Sequence, residues 1–160
     1  MFGGGKTISQ PQKPIFIDNQ EVEIVKSFKC LGTLLDESLS FCDHIDYVSK
    51  KAQQRLFLLR KVNSFDVTQH ILQLVYRSLI ESVLSFNIIT WYGNARAKNK
   101  IKLDRVVNTA SKLIGNEQKH LSSIYNAALK RKARQILYDP THPLNDSFQK
   151  LPSGRRLKRT

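Results

Sequence analysis

Three places in this chain carry residue types that do chemistry in proteins. Gly5-Lys6-Thr7 has the ending of a phosphate-binding loop, where backbone amides cradle phosphates and the lysine reaches them. That loop needs a glycine five positions before its Gly-Lys pair and a strand in front of it. Neither stands here, and the triplet reads as part of a loose leader. His44-Ile45-Asp46 has the form of the His-x-Asp half of a two-histidine, one-carboxylate iron site. Such a site needs a distal third ligand, for which His70, His120 and His142 are the later histidines. It also needs a cage of strands, so that the ligands converge on one metal face. Here the triplet opens a helical segment. Asp43 and Asp46 suit a first turn, where the helix dipole favours acidic side chains.

The third place is a set of basic clusters. Lys50-Lys51, Arg55 and Arg60-Lys61 cover three turns of one helical segment. Arg96, Lys98, Lys100, Lys102 and Arg105 gather at the start of another, and Lys130-Arg131-Lys132 with Arg134 on a third. Few acidic residues intervene, so the i,i+4 partners of a merely solvated face are missing. Residues 1–48 hold four basic and seven acidic residues, a net of −3, while residues 49–160 carry 22 Lys/Arg against six Asp/Glu, a net of +16. A helical surface with that imbalance repels itself unless an anion neutralises it, and nucleic acid is the commonest such anion. Contacts of this kind follow phosphates without reading bases.

Other chemistry finds no footing. There is no Gly-x-Ser-x-Gly elbow and no adjacent pair of aspartates for two-metal nucleotidyl transfer. Cys30 and Cys42 form neither a disulfide framework nor a metal spacing, which suits a reducing compartment. With no apolar signal region at the N-terminus, the expectation is an intracellular protein, nuclear or cytoplasmic. The longest mostly apolar stretch, Leu79–Trp91, is interrupted by Glu81, Ser82, Ser85, Asn87 and Thr90 and is too short to span a bilayer. No cofactor, metal or membrane partner is expected.

The elements that position these residues follow from periodicity. Residues 1–13 are Gly-, Pro- and Gln-rich and read as a flexible leader. Residues 14–40 read as a β segment. Pro14–Asp18 and Glu21–Val25 flank a turn at Asn19-Gln20, and Phe28–Leu35 forms a third run with Gly32 marking a bulge or close approach. From Cys42 the period becomes 3.6. The first helix turns Ile45, Val48, Ala52, Leu56 and Leu59 inward. It ends at Asn63-Ser64, and Asp66 or Thr68 caps the next, whose core stripe is Ile71, Leu74, Val75, Leu79, Val83 and Phe86. Trp91 and Tyr92 plug the helical core before a stop at Tyr92-Gly93-Asn94. A third helix over 98–114 turns Ile101, Leu103, Val106, Val107, Ala110, Leu113 and Ile114 inward and closes on Gly115. A fourth, capped by Ser122 or Ser123, buries Ile124, Ala128, Ile136 and Leu137 and stops at Asp139-Pro140. Residues 140–160 form an extended basic tail.

Ser27-Phe28-Lys29-Cys30-Leu31-Gly32 resembles the Phe-Lys-Tyr-Leu-Gly strand that follows the palm in reverse transcriptases of non-LTR (LINE-type) retrotransposons. The likeness continues through Lys50–Leu56, Leu59-Arg60, Ser82–Phe86, Trp91-Tyr92-Gly93, Thr109–Lys112 and Leu151–Arg156. The resemblance implies a C-terminal piece of such an enzyme. Phe28, Leu31 and Gly32 would lie in the strand that grips the primer, and the helices of residues 41–139 would form a thumb cradling an RNA or DNA duplex. The catalytic aspartates would lie upstream of the region matched, so the piece would bind without catalysis. Cys30 stands where that family has an aromatic. The strand region with the Lys50–Leu59 helix also looks like a segment named after the N-terminus of AlkB-type tRNA-modifying dioxygenases, a label that would imply dioxygenase or methyltransferase activity.

The expected fold is α+β: a short antiparallel hairpin or three-stranded sheet, packed on the first helix through Phe28, Leu31 and Leu34, then a bundle of about four helices. The expected function is non-specific nucleic-acid binding through Lys50, Lys51, Arg55, Arg60, Lys98, Lys100, Lys102, Lys130, Arg131, Lys132 and Arg134. The alternatives are a relic domain with no present role, or a dioxygenase-type segment using His44 and Asp46.

Overall fold

A computed structural model describes residues 14–148 and 151–152. The leader with Gly5-Lys6-Thr7 and residues 153–160 of the basic tail lie outside these residues. The fold is α+β: two antiparallel hairpins, then the helices. Among the described residues no helix is long and apolar enough to cross a membrane.

The hairpins are β1 (Phe16–Ile17) with β2 (Gln20–Glu21), and β3 (Ser27–Cys30) with β4 (Thr33–Asp36). They form separate two-stranded sheets rather than the three-stranded sheet expected as an option. The first turn sits on Asp18-Asn19, one residue before its expected place, with φ of 50° and 63°. A two-residue hairpin loop of the type I′ form needs positive φ at both positions, which Asp and Asn tolerate. The expected run Phe28–Leu35 is itself a hairpin. Gly32, with φ 85°, is its second turn residue and not a bulge, and Leu31 takes φ 45° before it. The expected docking through Phe28 and Leu31 does not occur: they are 62% and 89% exposed. Instead Leu35 packs against the core, Thr33 is buried, and the Leu34 amide donates to Nδ1 of His44 at 3.3 Å.

Asp36 starts the first helix from a distance. Its carboxylate accepts the Ser38, Ser40 and Phe41 amides at 2.8–3.0 Å and the Ser38 and Ser40 hydroxyls at 2.6 and 3.1 Å. Burial alone would raise the pKa of this carboxyl, but the bonds from Ser38, Ser40 and Phe41 outweigh it and hold the group at about 2. Phe41, at the cap position with φ 55°, offers no side-chain cap of its own. Helix α1 (Cys42–Asn63) buries the expected Ile45, Val48, Ala52, Leu56 and Leu59, plus His44 and Ser49.

The next helix is continuous over residues 69–85 but not uniform. Helix α2 (Gln69–Val75) passes into a π-helical turn (Tyr76–Glu81) and then α3 (Ser82–Ser85). Its buried residues are Leu72, Tyr76, Ile80 and Leu84, continuing to Ile88 and Trp91 in α4 (Ile88–Trp91). This replaces the expected stripe: Ile71, Leu74 and Phe86 are exposed at 43%, 60% and 54%, while Val75, Leu79 and Val83 are half-buried. The buried set is spaced by four. Four residues overshoot one α-helical turn by about 40° and undershoot a π-helical one. The wide turn therefore returns the set to one face. The Tyr76 hydroxyl is buried there without a hydrogen-bond partner, and burial, with the charge of Glu81, raises its pKa.

Asn87, at φ 49°, ends this helix, and Trp91 is fully buried with Nε1 donating to the Phe86 carbonyl at 3.0 Å. With Tyr92 it closes the core as expected. Helix α5 (Ala97–Ile114) packs along α1 and ends on left-handed Gly115 (φ 73°). Ile101, expected inward, is 54% exposed in its second turn. Helix α6 (Leu121–Tyr138) packs on α3 and α4, with His120 rather than Ser122 or Ser123 at its cap position. Over residues 139–148 the chain is not extended as expected. It turns at Asp139–Thr141 and forms a short 3₁₀ turn (Asn145–Ser147), from which Nδ2 of Asn145 donates to the Ile136, Leu137 and Asp139 carbonyls at 2.7, 3.5 and 3.0 Å.

Candidate nucleic-acid interface

Helix α1, the β3–β4 hairpin and the π turn with α3 enclose a groove of about 520 Å³. Lys51 and Arg55 enter it from α1, one turn apart. Lys29 enters from β3, at a strand position beside the helix that sequence reasoning did not single out. Tyr47 lies between the two lysines, whose Nζ atoms are 5.8 Å (Lys29) and 5.6 Å (Lys51) from its ring centroid. Arg55 donates to the main-chain carbonyl of Leu79 in the π turn. Phe86 lies over Gly32 on the opposite wall. No carboxylate lines the groove.

The other expected cations are arranged differently. Lys50 and Arg60 are exposed on α1 and do not line the groove. Lys98 is exposed, and Lys100 places its Nζ 4.9 Å from the ring centroid of Tyr92. Lys102 is neutralised by Asp46 at 2.7 Å. Among the described residues this is the one ion pair between a Lys or Arg and a carboxylate. Lys130, Arg131, Lys132 and Arg134 are all exposed on α6. Lys130, Arg131 and Arg134 form a stripe with Tyr138, and Arg131 and Lys132 also border a cleft against α4. Lys51 and Arg55 thus line the groove, while the α6 cations line other clefts. Of the residues expected to grip a primer, Gly32 lines the groove, and Phe28 and Leu31 project at the hairpin surface.

His44 and Asp46 do not converge. Residues two apart on a helix point about 200° apart. His44 is 1% exposed, packed edge-on against Trp91 with ring centroids 5.5 Å apart, while the Asp46 side chain is 64% exposed and held by Lys102. Burial lowers the His44 pKa, and because Nδ1 accepts the Leu34 amide, the neutral ring carries its proton on Nε2. Nε2 has no partner. Among the described residues no three His, Cys, Asp or Glu side chains gather as a metal-binding group.

No curated protein and no solved structure matches the chain. A family model described as Alkylated DNA repair protein alkB homolog 8, N-terminal, matches residues 43–82. Over those residues, which run from the first turn of α1 through the π turn to the first residue of α3, the chain is similar to that family.

Proposed function

We propose that the chain binds nucleic acid through its phosphate backbone, without base readout and without performing a chemical step. The observation that carries this reading is the groove between α1, the β3–β4 hairpin and the π turn, where Lys29, Lys51 and Arg55 meet with no carboxylate among them. Three unpaired cations on one concave surface concentrate positive potential, and a polyphosphate is the partner that relieves it. The basic stripe of α6 adds a second surface for the same backbone. The printed name of the similar family speaks of alkylated DNA repair, and the matched residues include Tyr47, Lys51 and Arg55. The separation of His44 from Asp46 gives no support to a catalytic assignment. The resemblance of the wider chain to a retrotransposon thumb is consistent with the same task, since a thumb holds a duplex by shape and backbone.

The test is fluorescence anisotropy of a labelled single-stranded RNA or DNA at two salt concentrations. About three phosphates neutralised in the groove give roughly a 20-fold loss of affinity between 50 and 200 mM salt. The paired substitution Lys29→Glu with Lys51→Glu abolishes most binding and flattens that dependence. Affinity that ignores salt, or a charge-reversed variant that binds like the parent, overturns the reading.

A further inference from the structure

The groove has more than cations. Its volume, about 520 Å³, is that of one or two nucleotides, each comparable to a small ligand. A double helix does not fit inside it. Two rings stand on its walls, Tyr47 at 42% and Phe86 at 54% exposure. Exposure of Phe86 is built in. The ring lies against Gly32, where an added Cβ would sit 3.0 Å from Cε1 of Phe86, so the tight turn and the ring position go together. At the groove lies His44, nearly fully buried, whose Nε2 donor has no partner. A flat apolar surface, paired ammonium groups and a spare donor are the components of a site for an unpaired base and its phosphate.

We infer that this groove takes a single-stranded segment of nucleic acid, with one base stacked on Phe86 and the adjoining phosphate held by Lys29 and Lys51. The inference rests on the nucleic-acid reading above and sharpens it. The groove selects unpaired nucleotides, while the α6 stripe holds backbone of either form. In a duplex the bases already stack on each other and offer no free face to Phe86. Every base has such a face, so the site is tolerant of sequence.

The experiment compares, by anisotropy with the full chain, a labelled oligo(dT) of about 12 nucleotides with a blunt hairpin duplex of equal phosphate count. The expected result is at least about fivefold tighter binding of oligo(dT). Phe86→Ala then weakens oligo(dT) about tenfold and leaves the duplex unchanged. Phe86→Leu, which keeps an apolar contact over Gly32 but removes the ring, behaves the same way, and Phe86→Trp restores affinity. Equal affinity for the two probes, or equal loss for both in the Phe86 variants, overturns the inference and leaves the phosphate reading intact. Failure of the parent chain to bind either probe at low salt overturns both.

Discussion

The guanidinium of Arg55 donates to the carbonyl oxygen of Leu79, joining α1 to the π turn across the floor of the basic groove. A π turn shifts its backbone hydrogen bonds by one residue, and this bond gives one of its carbonyls a partner from a neighbouring helix. The same residue therefore serves the fold and the groove. Arg55→Met should lower stability by about 1–3 kcal/mol, the cost of leaving a partly buried carbonyl without its charged donor. Lys51→Met, which breaks no hydrogen bond, should leave the melting temperature unchanged while weakening nucleic acid to a similar degree. Paired thermal melts and binding curves separate the two. Equal melting temperatures for both variants would count against the structural half of the role.

The β3–β4 turn makes a prediction of opposite sign at adjacent residues. Leu31 holds φ 45° with 89% of its surface in solvent, a conformation that a leucine adopts at a cost and an asparagine tolerates. Leu31→Asn should stabilise the chain by about 0.5–1 kcal/mol. Gly32→Ala should destabilise it by about 1–2 kcal/mol, from the positive φ alone, with a further penalty from Phe86. Adding Phe86→Ala to Gly32→Ala should recover the steric part and not the backbone part. Chemical denaturation of the three variants against the parent measures both.

Asp36 sets an acid limit on the fold. Its folded pKa of about 2 lies below the ordinary value of 3.8, so the carboxylate form is the one the folded state prefers. Its contribution is complete above pH 4 and is lost as pH falls towards 2. Asp36→Asn should cost about 1 kcal/mol at neutral pH, as the loss of a helix cap does, and should differ less from the parent with each step below pH 4. Asp139, whose pKa is also lowered, first by the Thr141 hydroxyl, is present in both proteins. Urea titrations at pH 6, 4 and 2.5 show whether the two curves converge.

His44 gives a second, higher pH window. Burial lowers its pKa, so the folded state holds the neutral ring and the unfolded chain takes up the proton first. Its contribution is therefore full above pH 6.5 and declines as pH falls below that value. Protonation would also break the bond from the Leu34 amide to Nδ1 and loosen β4 from α1. The protection factor of the Leu34 amide, its exchange corrected for the slower intrinsic exchange at lower pH, should fall between pH 7 and pH 5. Protection that does not change across that range would show that His44 stays neutral for another reason.

Asn145 closes the C-terminus of α6 through bonds to three carbonyls. Asn145→Ala should cost about 1 kcal/mol and fray the last turn. Hydrogen exchange should rise at residues 134–138 and stay level at the start of the helix, where Leu121 is buried.

Three of the helices were legible because their apolar residues keep the α-helical period, as Ile45, Val48, Ala52, Leu56 and Leu59 do in α1. The helix of residues 69–85 was not. Its buried residues run at an unbroken spacing of four, which drifts about 40° per step around an α-helical wheel, and the π turn that corrects the drift leaves no mark in composition. The second hairpin was hidden for a related reason: Leu31 is an unusual residue for a left-handed turn, so Phe28–Leu35 read as one strand. The basic clusters were visible as sequence, and their division was not. Lys51 and Arg55 meet Lys29 only because β4 packs on α1 and carries β3 with it, and Lys102 is removed from the set by Asp46, 56 residues away. Periodicity shows which residues share an element, but not which elements meet.

Among the described residues the single carboxylate engaged by a lysine, Asp46 against Lys102, leaves the rest of their cationic surface to be calmed by whatever surrounds it. Two responses to electrolyte then run in opposite directions. Dissolved ions should shield the solitary chain from itself and raise its melting temperature, while on the proposed nucleic-acid reading the same ions would compete for the polyanion and loosen the complex. In dilute buffer the occupied molecule would then be the sturdier of the two, its partner a scaffold as well as cargo.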